Sequence, residues 1–251
     1  MPRFVDALPT DRQLLSLFVP LGILARILPC LFNPACYARI DIEEFKQICN
    51  YLGPKSLPLI VVTAIFISLA LTIETILETT RYGAQDSSGA AISIGLLREL
   101  GPLTVSIFWA ARVTVLLSYN AKLYVDANGH KDFIEVFVFP RFLAGLIMAV
   151  PLAAYGLVFG FATAAMYAPT IGVSSWQEFL EIARVSIHEK DITVYFVKLI
   201  LLNPIIAVVV GSACGLYSNE DGGTTASHAV SKMFIYAVIA NFVFTYFMFP
   251  I

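Results

Sequence analysis

LPLIVVTAIFISLALTIETIL, residues Leu57–Leu77, carries one charged side chain, Glu74. A run of this length and polarity meets the roughly 20-residue requirement for an α-helix that crosses a bilayer. Four more such runs follow, at Ile92–Leu117, Val136–Met166, Val194–Leu216 and Met233–Ile251. Of the 251 residues, 58% are hydrophobic and 14% charged, and the mean hydropathy is +0.79. A soluble domain carries about 45–50% apolar and about 25% charged residues. The sequence therefore predicts an all-α integral membrane protein.

Upstream, Leu14–Phe32 is also apolar, but Pro20 and Pro29 interrupt it, Pro34 follows it and Arg26 sits inside it. That pattern suits a bent interfacial helix in one leaflet better than a span. Between it and Leu57, IDIEEFKQICNYLG sets Ile42, Phe45, Ile48, Cys49 and Leu52 at helical spacing, opposite Glu43, Glu44, Lys46 and Asn50. This is an amphipathic connector. The expected architecture is an N-terminal interfacial elbow helix plus five transmembrane helices, with residues 1–56 forming elbow and connector and 57–251 the five-span domain.

Basic residues set the orientation. Arg3, Arg12, Arg26, Arg39, Lys46 and Lys55 precede the first span, Lys122, Lys131 and Arg141 lie between spans two and three, and Lys232 precedes span five. Only Arg81, Arg184 and Lys190 occupy the other loops. The bias places the N-terminus in the cytoplasm and the C-terminus outside. In the second outer loop, Ser174 or Ser175 is expected to cap a surface helix with Trp176, Phe179, Leu180, Ile182 and Val185 on one side. The opening MPRFVDALPT lacks the basic region of a cleaved signal peptide, and no presequence is expected.

Several functions are disfavoured. Sixteen Lys and Arg against eighteen Asp and Glu, without a basic run, give nucleic acid no electrostatic footprint. Cys30, Cys36, Cys49 and Cys214 match neither a disulfide framework nor a zinc site and are read as packing residues. His130, His188 and His228 are read as loop histidines, and Ser68, Ser93, Ser106 and Ser118 have no histidine at matching depth, so neither catalytic nor metal-ligating residues are assigned. No GxxxxGK[ST] run exists, so any ATP with its magnesium belongs on a partner chain and this chain binds no cofactor. The contact for such a partner would be the loop YNAKLYVDANGHKDFIEVFVF, with Lys122, Asp126, Lys131, Asp132 and Glu135.

Charges at membrane depth are costly and mark functional candidates. Glu74 and Glu78 share a helical face near the outer end of span one. Arg98 and Glu99 open span two beside Gly95, Gly101 and Pro102, where the helix should be irregular next to a cavity. Such a cavity, charged at one point and otherwise walled by Leu and Ile, suits an amphiphile. The plainer alternative is that these groups snorkel or pair, Glu74 or Glu78 with Arg98 for example, and only tie helices together. The same plain reading covers Arg112 and Lys198.

At GLLRELGPLTVSIFWAARV, residues Gly95–Val113, the sequence resembles the MlaE/YrbE permeases, membrane subunits of ABC transporters that work with MCE-domain proteins. The resemblance rests on Leu96–Pro102, on Ala111 and Arg112, on Pro140, Arg141 and Phe142, and on the character of span one, and it covers nearly the whole chain. It implies a permease of two copies, homodimeric or heterodimeric, that moves phospholipid or a similar amphiphile between the inner membrane and an outer compartment. An MlaF-type ATPase would bind inside and an MCE-domain protein outside. Arg98 and Glu99 would line the lipid site, with Glu74 facing the same cavity, Ile73 and Leu77 contacting acyl chains and Glu78 nearby. The sequence departs from the family at Tyr119–Lys122, where many members have an acid, Ile and Gly. The stretch from Arg112 to Pro140 is also shorter by about 7 residues, roughly two helical turns. The alternative consistent with that departure is a transport-inactive adaptor that scaffolds an MCE assembly.

Overall fold

A computed structural model describes residues 9–84, 87–172, 175–199, 203–218 and 222–249. Arg3, Ser174 and Ile251, which figure in the reading of the termini and outer loops, lie outside these residues. The described chain is helical, with no strand. In order, the helices are α1 (Pro9–Phe32), α2 (Pro34–Ala38), α3 (Ile42–Leu52), α4 (Leu57–Arg81), α5 (Ser88–Gly95), α6 (Gly101–Asn128), α7 (Phe139–Tyr167), α8 (Trp176–Ser186), α9 (Glu189–Val197), α10 (Asn203–Leu216) and α11 (Gly222–Met248). A π-helical turn, Leu96–Leu100, joins α5 to α6, and a second, Phe133–Val138, leads into α7.

Four stretches among the described residues are long and apolar enough to cross a membrane: Ile42–Arg81, Ser88–Asn128, Phe133–Ile171 and Gly222–Met248. The protein is thus an all-α, multi-pass membrane protein. The expected fourth span, Val194–Leu216, includes residues 200–202, which lie outside the described residues; its described parts fall in and just after α9 and in α10, one of two shorter apolar helices. The other, Phe18–Phe32, is the expected elbow; it lies within one helix that accommodates Pro20 and Pro29. The last span starts earlier than expected, at Gly222, so His228 is a helical residue and not a loop one.

Small residues bring the helices together. In α10, the Gly211–Gly215 pair is a small-xxx-small motif that lets one backbone approach another. A Cβ at Gly215 would overlap the Ser118 carbonyl of α6, and one at Gly211 would stand 3.0 Å from Leu117 Cβ. Around this contact the core collects Trp109, Leu117, Phe139, Val208 and Met233. The Trp109 indole donates to the Leu52 carbonyl at 2.9 Å, which satisfies an orphan acceptor at the end of α3. Cys30 and Cys36 are buried free thiols, and Cys49 and Cys214 are half-buried ones.

On α8, Ser175 is the N-cap and its Oγ accepts from Glu178 N at 3.1 Å. The buried face is narrower than the expected set. Phe179 and Ala183, one turn apart, are buried against α5, and Ile182 meets Gly89. Trp176, Leu180 and Val185 are exposed, because the packed line runs through Phe179, Ile182 and Ala183 and these three lie to either side of it.

Candidate functional site

The heptapeptide Leu96–Pro102 forms the π turn, and two of its residues explain the geometry. Gly101 N–H bonds to the Leu96 carbonyl five residues back, and a Cβ at Gly101 would overlap that carbonyl. Glycine is therefore required there. Pro102 has no N–H, so it cannot supply the helical hydrogen bond to the Arg98 carbonyl four residues earlier. The Lys198 ammonium supplies it instead.

Lys198 is fully buried and uses all three donors. Besides the Arg98 carbonyl it reaches Glu99 Oε1 at 3.2 Å and Thr245 Oγ1 at 2.7 Å. Thr245 in turn donates to Glu99 Oε1 at 2.7 Å, and Asn241 Nδ2 donates to Glu99 Oε2 at 3.0 Å. Glu99 is thus held by α11 and by the residue that follows α9. Its carboxylate nevertheless keeps one side open, with the side chain 41% exposed.

Arg98 is anchored differently. Its Nε donates to Asp191 Oδ1 at 2.6 Å, and its guanidinium lies 4.3 Å from the centre of the Phe249 ring. Asp191 is completely buried, and its second oxygen accepts from His188 N at 3.0 Å, closing the first turn of α9. Burial pushes the Asp191 carboxyl up, but the Arg98 hydrogen bond and the His188 N–H more than reverse this, and the net value falls below the ordinary 3.8. The two Nη groups of Arg98 have no hydrogen-bond partner among the described residues, and the side chain is one-third exposed. Lys190 approaches the same ring at 4.7 Å.

The result is a fixed pair: a guanidinium edge and a carboxylate edge, both partly open, on a rigid irregular turn. π turns recur at functional sites. A cavity of about 20 Å³ lies behind the turn, lined by Leu96, Gly101, Gly156, Phe161 and Tyr195.

The remaining expected site residues sit elsewhere. Glu74, Glu78 and Leu77 are exposed on α4 and Ile73 is half-buried. Glu78 pairs with Arg81 at 2.8 Å on its own helix. Arg98 is bonded to Asp191 and not to Glu74 or Glu78, so the four charges of spans one and two do not form one ion-pair network. Asp191, Asn241, Thr245 and Phe249 carry no expectation from sequence, and Lys190 entered only as an outer-loop charge. Asn241 and Thr245, four apart in an apolar run, carried a readable signal: two polar groups on one face of a span.

On the other side of the bundle, Arg39 bonds to both Asp132, at 3.4 Å, and Glu135. Arg141 bonds to Glu44 at 3.0 Å. Asp126 and Lys131 are exposed and Lys122 is half-buried. Arg112 donates to Ser56 Oγ at 2.9 Å and to the Lys55 carbonyl, which places it at the start of span one.

Comparison with known proteins resolves the family. The profile of the Permease MlaE family matches residues 45–119 and 130–247. The chain belongs to the MlaE permease family. The break in the match, 120–129, falls in the stretch where the sequence departs from the family pattern. A probable ABC transporter permease of Synechocystis, slr1045, is 27% identical over 228 residues, 84% of each chain. The chloroplastic protein TRIGALACTOSYLDIACYLGLYCEROL 1 of Arabidopsis thaliana is 25% identical over 223 residues, 84% of this chain and 63% of that protein. A probable ABC transporter permease of Rickettsia typhi is 24% identical over 238 residues, 88% of this chain and 87% of the other. The protein is a transport permease subunit of this family.

Proposed function

We propose that this permease moves phospholipid, or an amphiphile of similar build, as the membrane subunit of an ABC transporter. The observation that carries this reading is the Arg98–Glu99 pair: two opposite charges, each anchored from behind by a buried partner and each open on one side. A zwitterionic or anionic headgroup offers the complementary groups, the Arg98 Nη donors taking phosphate oxygens. Exposed Leu77 and half-buried Ile73 on α4 would meet the acyl chains.

ATP hydrolysis belongs to an MlaF-type partner, docked on the face with Asp126 and Lys131, while Asp132 and Glu135 hold the N-terminal segment through Arg39. The names of the Synechocystis and Rickettsia relatives as ABC transporter permeases support such a partner. In this reading the N-terminus lies in the cytoplasm and the C-terminus outside, an orientation that the distribution of basic residues supports, and the chain works in the inner membrane as a homodimer or a heterodimer with an MCE-domain protein outside. Affinity purification in mild detergent followed by reconstitution tests the assignment. An ATPase subunit should co-purify, and ATP should drive movement of a fluorescent phospholipid. A complex that retains the MCE-domain partner but has neither ATPase nor transport would establish the adaptor instead.

A further inference from the structure

The larger cavity lies at the far end of α6 from Arg98. Asn120 is 22 residues beyond it, roughly 30 Å along a helix. There a pocket of about 260 Å³ opens between α3, α6 and α7, close to the lower bound for small-molecule sites. Its floor is apolar: Ile48, Leu52, Leu116 and Leu117. Gln47, Tyr51 and Asn120 line it as well, and none of these three side chains makes a hydrogen bond among the described residues.

The charge around it is unbalanced. Arg141 lines the pocket and is bonded to Glu44 and to the Phe137 carbonyl. Two further cations flank Tyr51, the Lys55 ammonium at 5.4 Å and the Arg112 guanidinium at 5.2 Å from the ring centre. Among the lining residues Arg141 is balanced by Glu44, so the excess positive charge is that of Lys55 and Arg112 beside Tyr51. An amphipathic helix at a membrane surface, with basic groups at its edge, recruits anionic lipid. Here α3 is the amphipathic helix, and because its own Lys46 is paired with Glu43, the basic groups at its edge are Lys55, Arg112 and Arg141 from the elements beside it.

We infer that this pocket is a second amphiphile site, one that takes an anionic phospholipid from the leaflet at this end of the bundle. Its phosphate engages the cationic rim and the free amides of Gln47 and Asn120. The first part of one acyl chain lies on the four aliphatic residues. The inference rests on the membrane reading of the chain but not on lipid binding at Arg98 and Glu99. It gives the permease an acceptor at each end of α6.

The test places benzoylphenylalanine at position 47, on the pocket rim, or at position 66, an exposed apolar site on α4 (Phe66, 67% exposed). The full chain is reconstituted in phosphatidylcholine vesicles doped with phosphatidylglycerol, irradiated and analysed by mass spectrometry. The phosphatidylglycerol share of adducts at position 47 should exceed that at position 66 by roughly tenfold, the factor expected of one charge-assisted hydrogen bond. Asn120→Leu and Tyr51→Ala, tested separately, should each erase that excess while adducts at position 66 persist as the sign of a folded protein. Arg98→Gln with Glu99→Gln should leave position 47 unaffected, so a failure at one end reads separately from the other. An equal lipid ratio at both positions would overturn the inference, as would adducts at position 47 to protein in place of lipid, which would make the pocket a subunit-docking surface.

Discussion

Lys198 decides whether the heptapeptide can hold its shape. It neutralises Glu99 and caps the Arg98 carbonyl that Pro102 leaves without a donor. Lys198→Met keeps the volume and removes both interactions, and should cost about 2 kcal/mol, read as a lowered unfolding midpoint in detergent; an unchanged midpoint would show the ammonium to be dispensable. Asp191 makes a second prediction through its lowered carboxyl pKa. A depressed folded value contributes stability above the ordinary 3.8, and that contribution is lost as pH falls through the lower folded value. Unfolding followed through the acid range should therefore depend on pH less steeply in Asp191→Asn than in the wild type. Arg98 and Glu99 were legible because charge inside an apolar run is conspicuous. Asp191 was not, because a single acid in a polar loop looks like any solvated carboxylate until tertiary packing buries it.

At the scale of elements, two glycines carry the geometry. Gly101→Ala would set a methyl group against the Leu96 carbonyl and unwind the π turn. Gly215→Ala would press into α6 at Ser118. Each should cost about 1–3 kcal/mol as overpacking; the first should also disturb Arg98 and Glu99, while the second leaves them in place. Lipid binding measured at matched folded fraction separates the two. The irregularity at Gly101–Pro102 was readable from residue types alone, because a proline removes a donor and a glycine admits close approach. The face of α8 was not: Trp176, Phe179, Leu180, Ile182 and Val185 are all apolar, and it is packing against Ile76 of α4, Ile92 of α5 and Ala164 of α7 that selects Phe179 for burial.

For the whole molecule, the two ends of the bundle carry different chemistry. One holds the Arg98–Glu99 pair behind its buried partners, and the other is laced to the N-terminal segment by Arg39 and Arg141. Arg39→Ala should release Asp132 and Glu135 without touching Arg98 or Glu99, so on the proposed function it should alter ATPase stimulation in the reconstituted complex while lipid binding persists. The all-helical, multi-pass architecture and the family were both visible in sequence, since hydropathy fixes spans and Leu96–Pro102 is a specific heptapeptide. The pairing across helices was not visible, because partners such as Arg98 and Asp191 are separated by 93 residues. The central claim is that Arg98 and Glu99 hold a lipid headgroup, and photoactivatable phospholipid crosslinking to purified protein tests it most directly. In Arg98→Gln with Glu99→Gln, which removes both charges but keeps hydrogen-bonding capacity towards the buried Asp191 and Lys198, crosslinking should be abolished when compared with the wild type at matched folded fraction. Wild-type crosslinking in the folded double variant would contradict the account.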